Sequence, residues 1–174
     1  MIFNLFDTYD RKIFDGLRHI SPPNFVKTLL KFYTRLGDGY IWIGVIAYLT
    51  ISYSWEIWQV ALWKSILATV ISLSLYFLVK YSTKRPRPFQ KWTDTQAEVP
   101  PMDKWSFPSG HIMNNLAIGC AIATSFPELW FFVIVFPITC GFLRIYFGVH
   151  YASDVFFGGF FGIIAAIGSV LLWP

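Results

Sequence analysis

Apolar and polar positions alternate in two regimes along the chain. Over the first 35 residues Ile2, Phe3, Leu5, Phe6, Ile13, Phe14 and Leu17 recur among Asp7, Asp10, Arg11, Lys12, Asp15 and Arg18. Phe25, Val26, Leu29, Leu30 and Phe32 then recur among Lys27, Lys31 and Arg35. Charge at that density excludes a membrane span, and the stretch lacks the apolar run of a signal peptide, so no cleavage is expected. The spacing predicts two short amphipathic helices in the membrane interface, hinged at Ser21-Pro22-Pro23.

Beyond this region the pattern changes to long apolar stretches. A bilayer crossing takes about 20 apolar residues, fewer where neighbours shield the ends, and five stretches qualify: roughly 38–55, 57–80, 109–126, 129–148 and 154–173. The connections at Glu56 and at Pro127-Glu128 are short, so the first two spans and the next two form antiparallel hairpins. Tyr81 to Pro108 is the one long loop, and Trp55, Trp58, Trp130 and Trp173 fall at the opposite face, as an aromatic belt would. The expected fold class is all-α: one integral membrane helical bundle over 1–174, with about five transmembrane helices in 38–173 and amphipathic interfacial helices in 1–35.

Composition agrees. The chain is 55% hydrophobic, 20% aromatic and 14% charged, against about 25% charged in soluble domains. That leaves too little polar surface for a soluble domain and too much apolar side chain for a disordered one. The net charge of +4 comes without a basic helix or zinc spacing, so the expected partner is an anionic lipid, not nucleic acid. Cys120 and Cys140 each sit inside an apolar run and read as small core residues, with neither a disulfide framework nor metal-ligand spacing.

The chemistry gathers at one membrane face. Lys80 ends the second span, Arg87-Pro88 follows, Pro108-Ser109-Gly110-His111 opens the third span, and Arg144, His150 and Asp154 bridge the fourth and fifth. Ionisable groups are costly near a bilayer, so their clustering points to a functional site. Lys80, Arg87 and Arg144 supply positive charge and N–H donors suited to the oxygens of a phosphoryl group in flight. Ser109 reads as a helix cap, with free N–H groups beyond it and Gly110 allowing close approach. With the last helix starting early, His150 and Asp154 at spacing four meet on one face, so the carboxylate holds one imidazole nitrogen and frees the other as nucleophile. His111 remains as the acid. Asp94, Glu98 and Asp103 are scattered along the loop, which leaves no carboxylate cluster for a metal and predicts a metal-free reaction without cofactor.

Other polar residues have plainer readings. Lys84, Arg85, Lys91 and Lys104 read as a solvated basic loop near headgroups. Gly158-x3-Gly162 reads as a packing face, Asn114 and Asn115 as interhelical hydrogen-bonding groups, and His19 as inert.

The pattern Lys80-x6-Arg87-Pro88, Pro108-Ser109-Gly110-His111 and Arg144-x5-His150-x3-Asp154 resembles the three-part signature of the type 2 phosphatidic acid phosphatase superfamily, which includes bacterial lipid phosphatases and vanadium haloperoxidases. The resemblance covers residues 80–154 and implies a helical bundle with His150 as nucleophile, Asp154 as its partner and His111 as acid. It implies Lys80, Arg87, Ser109, Gly110 and Arg144 as phosphate binders. The family usually has serine before the third motif's arginine, where this chain has Leu143, so one phosphate contact is expected to be missing or replaced. Lipid A losing its 1-phosphate is the expected reaction, with undecaprenyl diphosphate and phosphatidylglycerophosphate as alternative substrates. A non-catalytic phospholipid-binding or transport protein is the alternative of another class. Orientation divides the warrants: all Lys and Arg except Lys64 lie on the active face, which by the positive-inside rule is cytoplasmic. The resemblance implies a bacterial inner membrane protein with a periplasmic site, and that is the expectation retained. Oligomeric state is left open.

Overall fold

The computed structural model describes residues 3–173. The regular elements of the described residues are all helical: α1 (Asn4–Arg18), α2 (Asn24–Arg35), α3 (Ile41–Ser52), α4 (Trp55–Thr83), α5 (Pro88–Lys91), α6 (Gly110–Ala123), α7 (Trp130–Tyr146) and α8 (Ala152–Leu172). Pro23 sits at the N-cap of α2, as the proline hinge predicts. Between α2 and α3 the chain makes a π-helical turn, Leu36–Tyr40, in which Gly39 takes φ 117°. Lys84 ends α4 in the left-handed conformation, which turns the chain back over the bundle toward the long loop.

The five predicted spans correspond to α3, α4, α6, α7 and α8. The segments Trp55–Lys91, Pro127–Tyr146 and Ala152–Leu172 are each long and apolar enough to cross a membrane. The other two helices are shorter than expected. The 12 residues of α3 stack on α2 through the π turn. The 14 residues of α6 span only about 21 Å, and α6 can be short because it is sheathed by α4, α7 and α8. Most of its side chains are buried, from His111 and Ile112 to Ala123.

Close packing of α8 on α6 fixes the depth of the site. A Cβ at Gly158 would lie 2.6 Å from the Ser109 carbonyl oxygen, and one at Gly162 would meet the Met113 carbonyl oxygen. These glycines let two backbones touch, as the small-residue spacing suggests. Trp55, Trp130 and Trp173 stand at the ends of α4, α7 and α8 remote from Lys80, Arg144 and Asp154, and all three are exposed. Trp58 departs from the expected belt: it is buried with Trp42, Leu49 and Phe126, where its ring fills the far end of the core.

The amino-terminal helices are more than an interfacial skirt. One face of α1 is exposed through Leu5, Tyr9 and Ile13, in keeping with a helix that meets lipid. The opposite face carries Phe14 into a cluster with Ile112, Ile145 and Val155 and buries Asp10. Thus α1 packs against α7 and α8 beneath the long loop.

Candidate active site

The turn between α7 and α8 is built by backbone hydrogen bonds that fold it onto the end of α7. Val149 and His150 donate to the Arg144 carbonyl at 3.1 and 3.2 Å, and Gly148, at φ 72°, reverses the chain. The long loop closes over this turn, with Glu98 N–H donating to Phe147 at 3.0 Å. His150 lies outside α8, which begins at Ala152, so the shared helical face expected from the spacing of four is not what joins it to Asp154. Asp154 reaches back instead, its Oδ2 accepting from Tyr151 N–H at 2.9 Å and lying 3.5 Å from His150 Nδ1. The nitrogen beyond, Nε2, is 3.4 Å from Arg87 Nη1.

His150 is buried, and burial together with the charges of Arg87, Arg144 and Lys80 pushes its pKa well below the ordinary histidine value. The imidazole is therefore neutral at physiological pH, the state in which a ring nitrogen can attack.

The structure brings Lys80, Arg87, Gly110, His111, Arg144 and His150 onto the wall of one cavity of about 650 Å³. Its polar end continues between α3, α4 and α6 past Trp42, Leu73, Phe77 and Ile118, where the lining is apolar. Ser109 occupies the N-cap position of α6 as expected, yet makes no side-chain cap bond. Its N–H donates to the Asp154 carbonyl at 3.1 Å, and its hydroxyl is buried without a partner, off the cavity wall. The serine thus ties the second motif to the third and leaves the N–H groups of the first turn of α6 unpaired by the helix.

The three cations differ in what already holds them. Lys80 Nζ donates to both Asp103 carboxylate oxygens at 2.9 Å and to the Trp105 carbonyl at 3.0 Å. Arg87 donates to Asp103 Oδ1 at 3.0 Å and to the Val149 carbonyl at 2.7 Å. Burial works against the charge on Asp103, but hydrogen bonds from Tyr76 and Lys80 and the nearby cationic charge hold its carboxyl below the usual carboxylate range. Asp103 therefore belongs to the site, contrary to its reading as a scattered loop residue; the 23 residues separating it from Lys80 hid this. Arg144 is different: it is buried, and its Nε has no hydrogen-bond partner among the described residues.

Arg85 overturns its reading as a solvated loop cation. It is 3% exposed, pairing with Asp154 Oδ1 and Asp10 Oδ2 at 2.7 Å each and stacking over Tyr151 at 3.8 Å. Asp10 accepts in addition from Ser153 N–H at 2.8 Å and from its hydroxyl at 2.6 Å, while Ser106 donates to Asp154 Oδ2. Asp10, Arg85 and Ser106 were all missed by the motif spacing. Asp38, which the sequence reading also missed, approaches His111 Nε2 to 2.6 Å, and the glycines on either side of it were the available signal. Leu143 packs with Val99, Phe147, Leu17 and Leu30 and does not line the cavity, so its departure from the usual serine leaves the cavity wall unchanged. Asn115 and Asn114 do bond between helices, to Trp42 at 2.8 Å and to Ser72 at 2.6 Å.

Comparison with known proteins places this arrangement. A curated undecaprenyl-diphosphatase from Sulfolobus acidocaldarius is 30% identical over 136 residues, 77% of this chain, and the match spans 64% of that relative's length. The crystal structure of Aquifex aeolicus LpxE superposes with a TM-score of 0.77 at 25% identity, over 91% of this chain and 93% of that one. The first transmembrane PAP2 type phosphatidylglycerolphosphate phosphatase from Bacillus subtilis shares the fold, with a TM-score of 0.75 at 22% identity over 97% of this chain and 86% of that one. The PAP2 superfamily model matches residues 61–174, the segment that holds all three motifs, and the chain belongs to the PAP2 superfamily.

Proposed function

We propose that this protein is a metal-independent membrane lipid phosphatase that works through a phosphohistidine. One observation carries the reading: His150, backed by Asp154 at 3.5 Å, shares a cavity with the buried Arg144, and that cavity runs on into an apolar passage. His150 Nε2 attacks phosphorus, the bond to the lipid oxygen breaks, and His111 gives that oxygen its proton. Water then attacks the phosphohistidine, giving a proton to His111, and His150 leaves as the neutral imidazole with phosphate released. Arg144, with no counter-ion bonded to it among the described residues, offers its guanidinium to the phosphoryl oxygens. Lys80 and Arg87, already partly neutralised by Asp103, complete the cradle with the N–H groups at Gly110 and His111. Asp154 orients and balances the charge on His150.

Lipid A 1-phosphate is the substrate this reading favours, supported by the likeness to LpxE over nearly the whole of both chains. Undecaprenyl diphosphate is the alternative, supported by the relative from Sulfolobus acidocaldarius, and phosphatidylglycerophosphate is a further one, on the fold shared with the Bacillus subtilis protein. Phosphate release from lipid A, undecaprenyl diphosphate, phosphatidylglycerophosphate and phosphatidic acid by the purified protein in detergent decides among them. Tight binding of these lipids with no phosphate released would favour a lipid-binding protein and sink the phosphatase reading.

The mechanism needs no metal, so EDTA is expected to leave turnover unchanged and vanadate to inhibit by taking the trigonal bipyramidal geometry of the transition state. Loss of activity in EDTA that magnesium restores would overturn this.

The active face is assigned to the periplasmic side of a bacterial inner membrane. Lys80, Arg85, Arg87 and Arg144 are buried inside the protein, so their charge is explained by the site and not by topology. Thr95, in the middle of the long loop, is buried, but Thr93 is exposed. Thr93→Cys is expected to react with a membrane-impermeant thiol reagent in intact spheroplasts. Reaction only after lysis would put the site in the cytoplasm, as the positive-inside rule has it.

A further inference from the structure

His150 has a carboxylate behind it, and the structure provides a second carboxylate for the other histidine. Asp38 Oδ1 lies 2.6 Å from His111 Nε2, off the axis of the ring N–H, on the cavity wall. The other carboxylates of the site are committed: Asp103 to Lys80 and Arg87, Asp154 and Asp10 to Arg85. Asp38 alone, among the described residues of the site, makes no ion pair with a lysine or arginine.

The backbone is shaped to bring it there. Asp38 sits in the π-helical turn, and such turns widen a helix and re-aim its side chains. Gly37 removes the side chain that would stand between: a Cβ there would lie 3.2 Å from His111 Cδ2 and 3.4 Å from Cys140 Sγ. Gly39, at φ 117°, returns the chain to α3 in a conformation L side chains rarely take. Asn115, one turn along α6 from His111, clamps the turn from the other side. Its Nδ2 donates to the Gly37 carbonyl at 2.8 Å while its Oδ1 accepts from Trp42 Nε1 at 2.8 Å.

We propose that Asp38 is the positioning carboxylate of the acid His111, so that each catalytic histidine works with its own aspartate. This rests on the phosphatase reading above. An imidazolium at His111 shares its pocket with Arg87 and Arg144, and a carboxylate on its far side is the counter-charge that lets it hold a proton. A small ring rotation closes Nε2–H onto Asp38, and Nδ1 then presents the proton to the leaving oxygen. Its proton passes to that oxygen as the phosphorus–oxygen bond breaks. The ring stays neutral with Nε2–H on Asp38, and Nδ1 recovers a proton from the water that hydrolyses the phosphohistidine.

The test compares two leaving groups by kcat/KM, which reports formation of the phosphohistidine and not its hydrolysis. Phosphatidic acid expels an alkoxide and needs the acid; p-nitrophenyl phosphate expels a stable phenolate and does not. For Asp38→Asn in the full chain in detergent, kcat/KM on phosphatidic acid is expected to fall by about a hundredfold, within the range general acids contribute. On p-nitrophenyl phosphate it is expected to fall less than about fivefold, and adding Asp38→Asn to His111→Ala should cost nothing more on either substrate. Damage to the fold would lower both substrates alike, so an equal loss on both overturns the proposal. So does no loss on either, or a further loss in the His111→Ala background. A wild-type protein that releases phosphate from neither ester nor from any of the lipid phosphates named above would overturn the phosphatase reading and this inference with it, whereas a wild-type enzyme active on both esters with no leaving-group effect in Asp38→Asn would sink the inference alone.

Discussion

His150→Ala is expected to lower kcat by at least about a thousandfold on any lipid phosphate the wild-type enzyme cleaves. No other group on the cavity wall is a neutral imidazole free to take its place: the second histidine is the proton donor, the Thr69 and Tyr76 hydroxyls donate to the Ser65 carbonyl and to Asp103, and the other polar residues there are cations, amides, carboxylates, indoles and the Tyr81 phenol. The loss should be in chemistry and not in folding, because Asp154 keeps Arg85, Ser106 and the Tyr151 N–H when the imidazole is removed. Thermal melting in detergent should therefore stay near the wild-type value while phosphate release disappears. The depressed pKa of His150 adds a sign. A histidine held below its ordinary value loses its neutral form only at a lower pH than a free one, so no loss of activity traceable to this residue is expected as the pH falls through about 6.5.

The second large effect is on stability. Arg85→Met is expected to destabilise the protein by about 3–5 kcal/mol, the cost of breaking a buried ion pair by removing one partner. Its guanidinium is the bonded counter-ion of Asp10, 2% exposed, and of Asp154, 0% exposed, and methionine fills the space without supplying charge. The melting temperature in detergent should drop clearly, with less activity surviving below it because Asp154 loses the bond that aims it. Arg85→Lys should recover only part of the loss, since an ammonium cannot reproduce the two-pronged fork across the two carboxylates. A melting temperature for Arg85→Met within a degree or two of wild type would show that the triad carries little energy. Through this triad α1, whose outer face is exposed and apolar, is tied directly to the residue behind the nucleophile.

Much of this was legible in the chain because the informative signals are local. Apolar stretches of bilayer length announce α4, α7 and α8, and the three motifs are short local patterns from which the fold brings Lys80, Arg87, Gly110, His111, Arg144 and His150 to one cavity, with Asp154 behind His150 and Ser109 off the wall. What could not be read is what depends on contact across distance. Arg85 looks like any loop cation until Asp10, 75 positions away, is folded onto it. Asp103 looks like loop polarity until the chain returns past Lys80. The π turn at Leu36–Tyr40 has no apolar periodicity to mark it, so the expected first span, 38–55, takes Asp38, the residue that touches His111, as its first position. The lengths of α3 and α6 were overestimated because the pattern reports how apolar a stretch is, not whether neighbours make a full crossing unnecessary.

The mechanism turns on a covalent bond between phosphorus and His150, which rapid-quench labelling detects. In His111→Ala the base for the second step is missing, while p-nitrophenyl phosphate needs no acid for the first, so the intermediate should accumulate. With 32P-labelled p-nitrophenyl phosphate, acid-labile, base-stable label is expected on the peptide containing His150, and none when His150→Ala is added. Label at another residue, or turnover with no label on the protein at any quench time, would contradict it.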